Sequence, residues 1–306
     1  MPRHLTSRLG EGLIAIWGVV TIVFVVSRLL GDPAVLLLPI GATEEQLAEL
    51  RTQLGLDQPL LQQYLTFLLN AARGDFGQSF QFARPALDVV LERLPATAAL
   101  AGWALAIGVV VGGLAGALAA IYRGSLIEAL VLLVALLGQA TPSFWLGIML
   151  ILFFAVQLGW LPTGGYGTWQ NLVLPAVTLA CFTTASIARL LRSSMLDVMR
   201  DDFVRTAYAK GLPPRKIYIW HVGRNSLIPV VTMTGILAGE LLGGAAVTET
   251  VFAWPGVGRL IVQAIETKDF PVVQAGVAVV AAIFVGVNLL VDLLYTVIDP
   301  RIRQAS

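Results

Sequence analysis

Long apolar runs broken by shorter polar stretches dominate the chain. A helix rises about 1.5 Å per residue, so a hydrocarbon layer of about 30 Å takes roughly 20 consecutive apolar residues. Six stretches meet that length, at about 9–30, 97–121, 128–158, 172–192, 227–249 and 274–298. The third is too long for one straight crossing. Pro142, in Gly138-Gln-Ala-Thr-Pro-Ser, is expected to kink it or to split off a shorter helix, because proline lacks the N–H and clashes with the preceding turn. A signal peptide is the rival reading of the first run. The run is too long for one, Arg28 follows it and no small-x-small cleavage site is evident, so a retained helix is expected.

Two polar segments carry structure of their own. In 31–94, Glu44 to Leu54 reads as a helix ended by Gly55, with Thr43 as N-cap and Gln46 three residues on. Gln58 to Asn70 has apolar residues at 61, 64, 65, 68 and 69, which is helical spacing. The segment is either a docking surface for an external partner or a lid on the span ends. In 193–226, the run Asp201-Asp-Phe-Val-Arg-Thr-Ala-Tyr-Ala-Lys-Gly-Leu-Pro-Pro reads as one short helix. Its acids sit at the start, Lys210 near the end, Gly211 at a left-handed cap, and Pro213 blocks continuation. Val204, Ala207 and Tyr208 are expected on one face, with Arg205 and Lys210 elsewhere. Such a helix suits either a groove in a cytoplasmic protein or the membrane surface.

Lys and Arg set the orientation. With six spans both termini share one side, and Arg3, Arg8, Arg123, the basic residues from Arg189 to Arg224, Arg301 and Arg303 fall on it. The loop 159–171 has none, and the loop after the fifth run has Arg259 and Lys268. The positive-inside rule then places both termini in the cytoplasm. Arg51, Arg73, Arg84 and Arg93 in 31–94 do not conflict, since long segments cross largely regardless of charge.

Composition narrows the classes further. Of 306 residues, 57% are hydrophobic and 13% charged, which points to lipid as the solvent, and a net charge of +1 leaves no basic surface for nucleic acid. Cys181 stands alone in an apolar run and reads as a small buried hydrophobe. With His4 and His221 it makes no metal-ligand spacing, and His221 reads as a surface or packing residue. The sequence has no Gly-x-x-x-x-Gly-Lys-Ser/Thr, His-Glu-x-x-His or Gly-x-Ser-x-Gly, so no P-loop hydrolysis or familiar hydrolytic chemistry is expected.

Within the spans, Glu240 is a carboxylate at membrane depth and should face protein or water. It is a candidate for lining a pathway or for bonding a neighbouring helix. Asn288 and Asp292 stand one turn apart in the sixth run, Asn288 as a second pathway candidate and Asp292 near the cytoplasmic interface. Gly108, Gly112 and Gly116, and again Gly235, Gly239 and Gly243, recur every four residues, as close helix packing or a sliding surface requires.

Several blocks, in one order over nearly the whole chain, carry a resemblance. They include Gly31-Asp-Pro-Ala, Leu54-Gly-Leu-Asp-Gln-Pro-Leu, Gly74-Asp-Phe-Gly-Gln-Ser-Phe and Leu94-Pro-Ala-Thr. Then come Arg205-Thr-Ala-Tyr-Ala-Lys-Gly-Leu, Arg224-Asn-Ser-Leu-Ile-Pro-Val-Val-Thr, Phe252-Ala-Trp-Pro-Gly-Val-Gly-Arg and Asp299-Pro-Arg-Ile-Arg. The sequence resembles the inner-membrane permeases of the dipeptide/oligopeptide/nickel branch of ABC importers. Its inside loop is similar to the EAA loop, whose coupling helix seats in a cleft of the ATPase subunit. The general pattern is Glu-Ala-Ala, three residues, Gly, then an Ile-x-Leu-Pro end. Ala207 and Gly211 match, Arg205 and Thr206 stand in place of Glu and the first Ala, and the closing Pro229 comes later. The salt-bridge role of the Glu is therefore not carried over.

The resemblance implies an all-α membrane protein with six transmembrane helices, the type I ABC importer permease fold, and a helical periplasmic insertion after the first helix. It divides the chain into 1–30 (tail and first helix), 31–94 (outside segment), 95–299 (core with coupling loop 193–226) and 300–306 (cytoplasmic tail). The coupling residues would be Asp202, Phe203, Val204, Arg205, Thr206, Ala207, Tyr208, Lys210 and Gly211. Implied partners are a related second permease in a heterodimer, two ABC ATPases that bind ATP and Mg, an extracytoplasmic substrate-binding protein and membrane lipid, in a bacterial inner membrane. The chain itself would hold no cofactor and catalyse no reaction. Peptides are the expected cargo. Nickel complexes or glutathione are the alternatives within the family, and an ion-driven secondary transporter is the alternative outside it.

Overall fold

The computed structural model describes residues 2–29, 34–35, 38, 42–53 and 55–298. Gly31, Asp32 and Pro33 of one block, Leu54 of another, and Asp299-Pro-Arg-Ile-Arg with the tail 300–306 lie outside the described residues. Helices in chain order are α1 Pro2–Leu29, α2 Glu44–Gln53, α3 Leu60–Ala72, α4 Ala86–Ile121, α5 Leu126–Ala140, α6 Ser143–Leu150 and α7 Trp169–Val198. They continue with α8 Asp202–Ala209, α9 Pro214–Lys216, α10 Arg224–Gly244, α11 Ala246–Val251, α12 Val257–Glu266 and α13 Phe270–Ile298. Two π-helical segments, Ile151–Gln157 and Ile217–Gly223, extend α6 and join α9 to α10. Among the described residues five helices are long and apolar enough to cross a membrane, or six if the bent pair α5 and α6 is one span.

That pair turns by 105° between Ala140 and Ser143. Thr141 is extended (ψ 124°), as a residue before proline is pushed to be, and Pro142 then opens α6 (φ −60°, ψ 132°). Several boundaries differ from those expected. The apolar span of α1, Arg8–Leu29, agrees with the expected 9–30 inside a helix that begins at Pro2, whereas α4 starts at Ala86 rather than near 97, because Ala86–Leu94 is itself a good helix former. Pro95 lies inside α4 without ending it. The fifth run does not begin at 227: Pro214 occupies the first turn of a helix, where its missing N–H costs nothing, and the helical path from there reaches Gly244. Glu249, expected at that run's end, sits in the separate α11.

The chain forms two compact units, Met1–Thr97 with Pro255–Val285, and Ala98–Trp254 with Gly286–Ser306. In the first, Ala86, Val89 and Val90 of α4 pack on Val257, Leu260 and Ala264 of α12 and on Val272, Val273 and Ala275 of α13. The buried Thr97 hydroxyl accepts from the Val257 N–H at 2.8 Å, giving the start of α12 one acceptor it needs. This bond joins the Leu94-Pro-Ala-Thr block to the Pro255-Gly-Val block. α1 approaches α13 closely, since a Cβ on Gly12 would lie 2.5 Å from Val285 Cγ1. Upstream, α2 carries the expected capping box: the Thr43 N–H donates to Gln46 Oε1 (3.0 Å) and the Gln46 N–H to Thr43 Oγ1 (3.3 Å). Gly55, at φ +66°, ends it.

In the second unit α7 is the hub, packed against α5 and α10. The Gly108, Gly112, Gly116 row of α4 lies on it. Added Cβ atoms would come within 2.2 Å of Thr183 Oγ1, 2.6 Å of the Thr184 carbonyl oxygen and 2.5 Å of the Ala188 carbonyl oxygen. Glycine here lets two backbones touch, which is the packing role of such rows. Gly235 likewise meets Val291, 2.2 Å from a would-be Cβ. The loop after α6 folds onto the Phe252-Ala-Trp turn: the Gly165 N–H donates to the Phe252 carbonyl (2.9 Å), and Tyr166 stands edge-on to Trp254 at 4.9 Å.

Candidate coupling loop and membrane cavity

The helix expected in the inside loop is α8, and local chemistry sets both its ends. Asp201 precedes it in extended backbone and Asp202 lies in its first turn, where a negative charge is favoured. At the other end the Gly211 N–H donates to the Tyr208 carbonyl (2.9 Å) and the Leu212 N–H to the Ala207 carbonyl (3.3 Å). That is the Schellman pattern, and Gly211 adopts the left-handed φ of +75° it needs. Leu212 packs back against the core, and Pro213 and Pro214 follow.

Which face of α8 is free differs from the expectation. Val204 and Ala207 are buried, in one cluster with Ile187, Leu191 and Met195 of α7 and with Ile217 and Val222 of the π-helical segment. Tyr208, expected beside them, is exposed, being turned 100° from Ala207. A side-chain hydrogen bond with Tyr218 raises its phenol above the usual value. The face left open presents Asp202, Phe203, Arg205, Thr206 and Lys210. Phe203 is its large apolar residue, and Arg205 pairs loosely with Asp202 at 3.6 Å.

Around α8 the exposed cations are Arg189, Arg200, Arg215, Lys216 and Arg224. Arg192 differs. Its guanidinium bonds Glu128 through Nε (2.7 Å) and Nη2, while the other Glu128 oxygen accepts from the Gly124 N–H at 2.5 Å. This pair ties the start of α5 to α7. The buried Ser226 adds a tie, its carbonyl accepting from Ser194 Oγ at 3.1 Å. His221 is half-buried, and its carbonyl accepts from Asn225 Nδ2.

Glu240 lines a cavity of about 250 Å³. Thr141 and Ser143 come to it from the α5–α6 break, Thr178, Leu179, Phe182 and Thr183 from α7, and Leu237 and Leu241 from α10. The Glu240 side chain is exposed and has no hydrogen bond or ion pair among the described residues. Asn288, half-buried in α13, does not line this cavity, and the Asp292 side chain lies outside the described residues. Cys181 is half-buried in a separate aliphatic groove between α4, α5 and α7. Among the described residues no group of three or more His, Cys, Asp or Glu gathers as a metal site would require.

Four polar groups escaped sequence reasoning: Glu128, Thr97, Asp269 and the fully buried Glu249. Asp269 had a local signal, since it stands just before an apolar run as an N-cap does, and its backbone carbonyl accepts the Val273 N–H of the first turn of α13. Thr97 gains its role from Val257, far away in the chain, and Glu128 from the distant Arg192 together with the nearby Gly124 N–H.

Comparison with known proteins bears on the whole molecule. Residues 108–304 match the family model described as binding-protein-dependent transport system inner membrane component, and residues 1–101 match the model of its N-terminal part. A Brucella abortus protein named as a peptide transport system permease is 41% identical over 312 residues, covering 99% of both chains. The glutathione transport system permease protein GsiC of Escherichia coli is 42% identical over 304 residues, again covering 99% of both. Among solved structures, an inward-facing MetNI methionine ABC transporter superposes with a TM-score of 0.57 at 19% identity, over 69% of this chain and 96% of the other. That last likeness speaks to the fold alone.

Proposed function

The chain belongs to the family of binding-protein-dependent transport system inner membrane components, and from that membership we propose that it is one permease subunit of an ATP-driven importer for di- or oligopeptides. The observation that carries the proposal is end-to-end identity above 40% to permeases named for peptide and for glutathione transport. Glutathione is itself a tripeptide, so both names point to cargo with peptide bonds and charged ends. The GsiC likeness favours glutathione as the second reading.

Energy enters from outside the chain, which lacks a P-loop. Two ATPase subunits bind ATP and Mg, a related permease supplies the other half of the pathway, and a binding protein delivers cargo on the side of 31–94. The exposed cations around α8 support a cytoplasmic position for this loop, and hence for both termini, in a bacterial inner membrane.

The geometry suggests how motion travels. α8 is the coupling helix, and Phe203 with the charges beside it enters the ATPase cleft. Val204 and Ala207 lock α8 to α7 and to the segment that continues as α10. Those two helices also supply Thr178, Thr183 and Glu240 to the cavity. A displacement of α8 by the closing ATPases therefore acts on the elements that shape the cavity. ATP shifts the balance of inward- and outward-open states by binding one of them better.

The test is reconstitution of the chain with its partner permease, ATPases and binding protein in liposomes. Peptide uptake should require both ATP and the binding protein. Uptake driven by an ion gradient without ATP would overturn the proposal.

A further inference from the structure

Helix α3, Leu-Leu-Gln-Gln-Tyr-Leu-Thr-Phe-Leu-Leu-Asn-Ala-Ala, contains no charged residue. At 100° per residue it has three sides. Gln63, Tyr64 and Phe67 form the first. The Tyr64 hydroxyl shares a hydrogen bond with Thr21 of α1 at 2.7 Å, and Phe24 of α1 stacks on Phe67 and tilts against Tyr64, with centroids 5.2 and 5.3 Å away. Gln63 is turned in, its Nε2 donating to the carbonyls of Leu56 and Gln58. The second side is Leu61, Leu65 and Leu69, exposed by 69%, 52% and 63%. The third is the uncharged polar row Gln62, Thr66 and Asn70.

The contacts with α1 fix the depth. The apolar span of α1 is Arg8–Leu29, 22 residues, or about 33 Å, one hydrocarbon thickness. Phe24 and Thr21 lie five and eight residues before its end, so α3 touches α1 about 8–12 Å beneath that end. At the same level α1 leaves Ile22, Val25 and Val26 exposed, as a lipid-facing surface is. A water-soluble partner does not reach that level, whereas acyl chains fill it.

We propose that α3 lies within the membrane, in the leaflet at the Leu29 end of α1, with Leu61, Leu65 and Leu69 against acyl chains and Gln62, Thr66 and Asn70 toward the headgroups. A neutral helix with one leucine side and one uncharged polar side suits that boundary. Part of the segment expected outside the membrane is then an anchor that holds the rest of 31–94 at the membrane surface. The inference needs α1 to span the bilayer and is independent of the cargo.

Single cysteines at Leu61, Leu65 or Gln62, in a Cys181→Ser background, can carry an environment-sensitive fluorophore in the assembled transporter in phosphatidylcholine bilayers. Quenching is read with shallow nitroxide lipids and with aqueous iodide. The Leu61 and Leu65 labels should be quenched by the lipid at least about threefold more strongly than by iodide, with the order reversed at Gln62. Quenching of the leucine-site labels by iodide to the level of the Gln62 label would place α3 in water and overturn the proposal. Shielding from both quenchers would overturn it in favour of a protein partner such as the second permease. Two leucine sites guard against one variant failing to fold.

Discussion

Ser79 and Asp269, 190 residues apart in sequence, meet in a buried hydrogen bond of 2.5 Å between the serine hydroxyl and Asp269 Oδ2. The same carboxylate accepts the Phe80 N–H (3.1 Å) and the Gln81 N–H (3.2 Å), and Ser79 Oγ in turn accepts the Phe82 N–H. One acid thereby closes the turn after Gly74-Asp-Phe-Gly-Gln-Ser and fastens it to the start of α13. Replacing Asp269 by Ala strands three donors, the buried Ser79 hydroxyl and the part-buried Phe80 and Gln81 N–H groups, which costs about 2–3 kcal/mol. Ser79→Ala removes two bonds, the one to Asp269 and the one from the Phe82 N–H, but leaves the carboxylate its two backbone donors, and should cost about 1–2 kcal/mol. Unfolding midpoints in detergent should fall in that order, and equal midpoints for wild type and Asp269→Ala would contradict the assignment.

The Glu128–Arg192 pair should respond to single and double substitution differently. The arginine side chain is 26% exposed, so the usual cost of breaking a buried pair is discounted to about 1–3 kcal/mol for Arg192→Leu. Glu128→Gln added to Arg192→Leu removes the stranded charge, while its amide oxygen still accepts the Gly124 N–H. The double variant should therefore be more stable than Arg192→Leu alone. A double-mutant cycle on thermal unfolding checks this, and additive losses would show that the two groups are not coupled.

Neighbouring glycines of α4 provide an internal control. Gly112→Ala places a methyl 2.6 Å from the Thr184 carbonyl oxygen, a backbone atom that cannot step aside cheaply. Gly113→Ala meets nothing within 4 Å. The first should lose about 1–3 kcal/mol and yield less folded protein, and the second should match wild type or exceed it slightly. Yield and melting temperature from size-exclusion fractions decide, and equal behaviour of the two would deny the close approach of α4 to α7.

Much of the architecture is legible in the sequence. Apolar runs report helices because lipid demands them, Pro142 reports a break because its neighbour cannot stay helical, and Thr43, Gln46 and Gly211 report helix ends through rules that act over three or four residues. The illegible parts lie elsewhere. Ala86–Leu94 mixes polar and apolar residues and so did not register as part of α4. Apolar periodicity finds the Val204–Ala207 ridge of α8, yet it cannot tell a face buried on α7 from one offered to a partner. Ser79–Asp269, Thr97–Val257 and Glu128–Arg192 pair across 190, 160 and 64 residues, and although Asp269 and Glu128 stand at helix starts, no local pattern names the distant partner. The cavity at Glu240 was half legible: the carboxylate stood out by its depth, but Thr141, Ser143, Thr178 and Thr183 are ordinary until folding collects them.

Phe203 tests the coupling assignment without disturbing the fold, since it is exposed and outside the buried ridge. Phe203→Ser should leave thermal stability within about 0.5 kcal/mol of wild type. In the assembled transporter it should cut binding-protein-stimulated ATP hydrolysis about tenfold, as loss of an anchor in a docking cleft does. Gly211→Pro should abolish stimulation as well, because φ +75° is closed to proline, and should destabilise α8 in addition. Undiminished stimulation in a well-folded Phe203→Ser complex would move the coupling site off the open face of α8.

A carboxylate such as Glu240 that reaches membrane depth without a partner among the described residues needs water or a passing cation to remain charged. A peptide in transit brings one, its terminal ammonium. Glu240→Gln keeps the shape and should assemble normally, with ATP hydrolysis still stimulated by the loaded binding protein. Uptake of peptides with a free amino terminus should drop several-fold per ATP consumed, whereas uptake of the same peptides N-formylated should change little. Equal losses for both cargo forms would mean that Glu240 serves the cavity's structure, and unchanged uptake of both would remove it from the pathway.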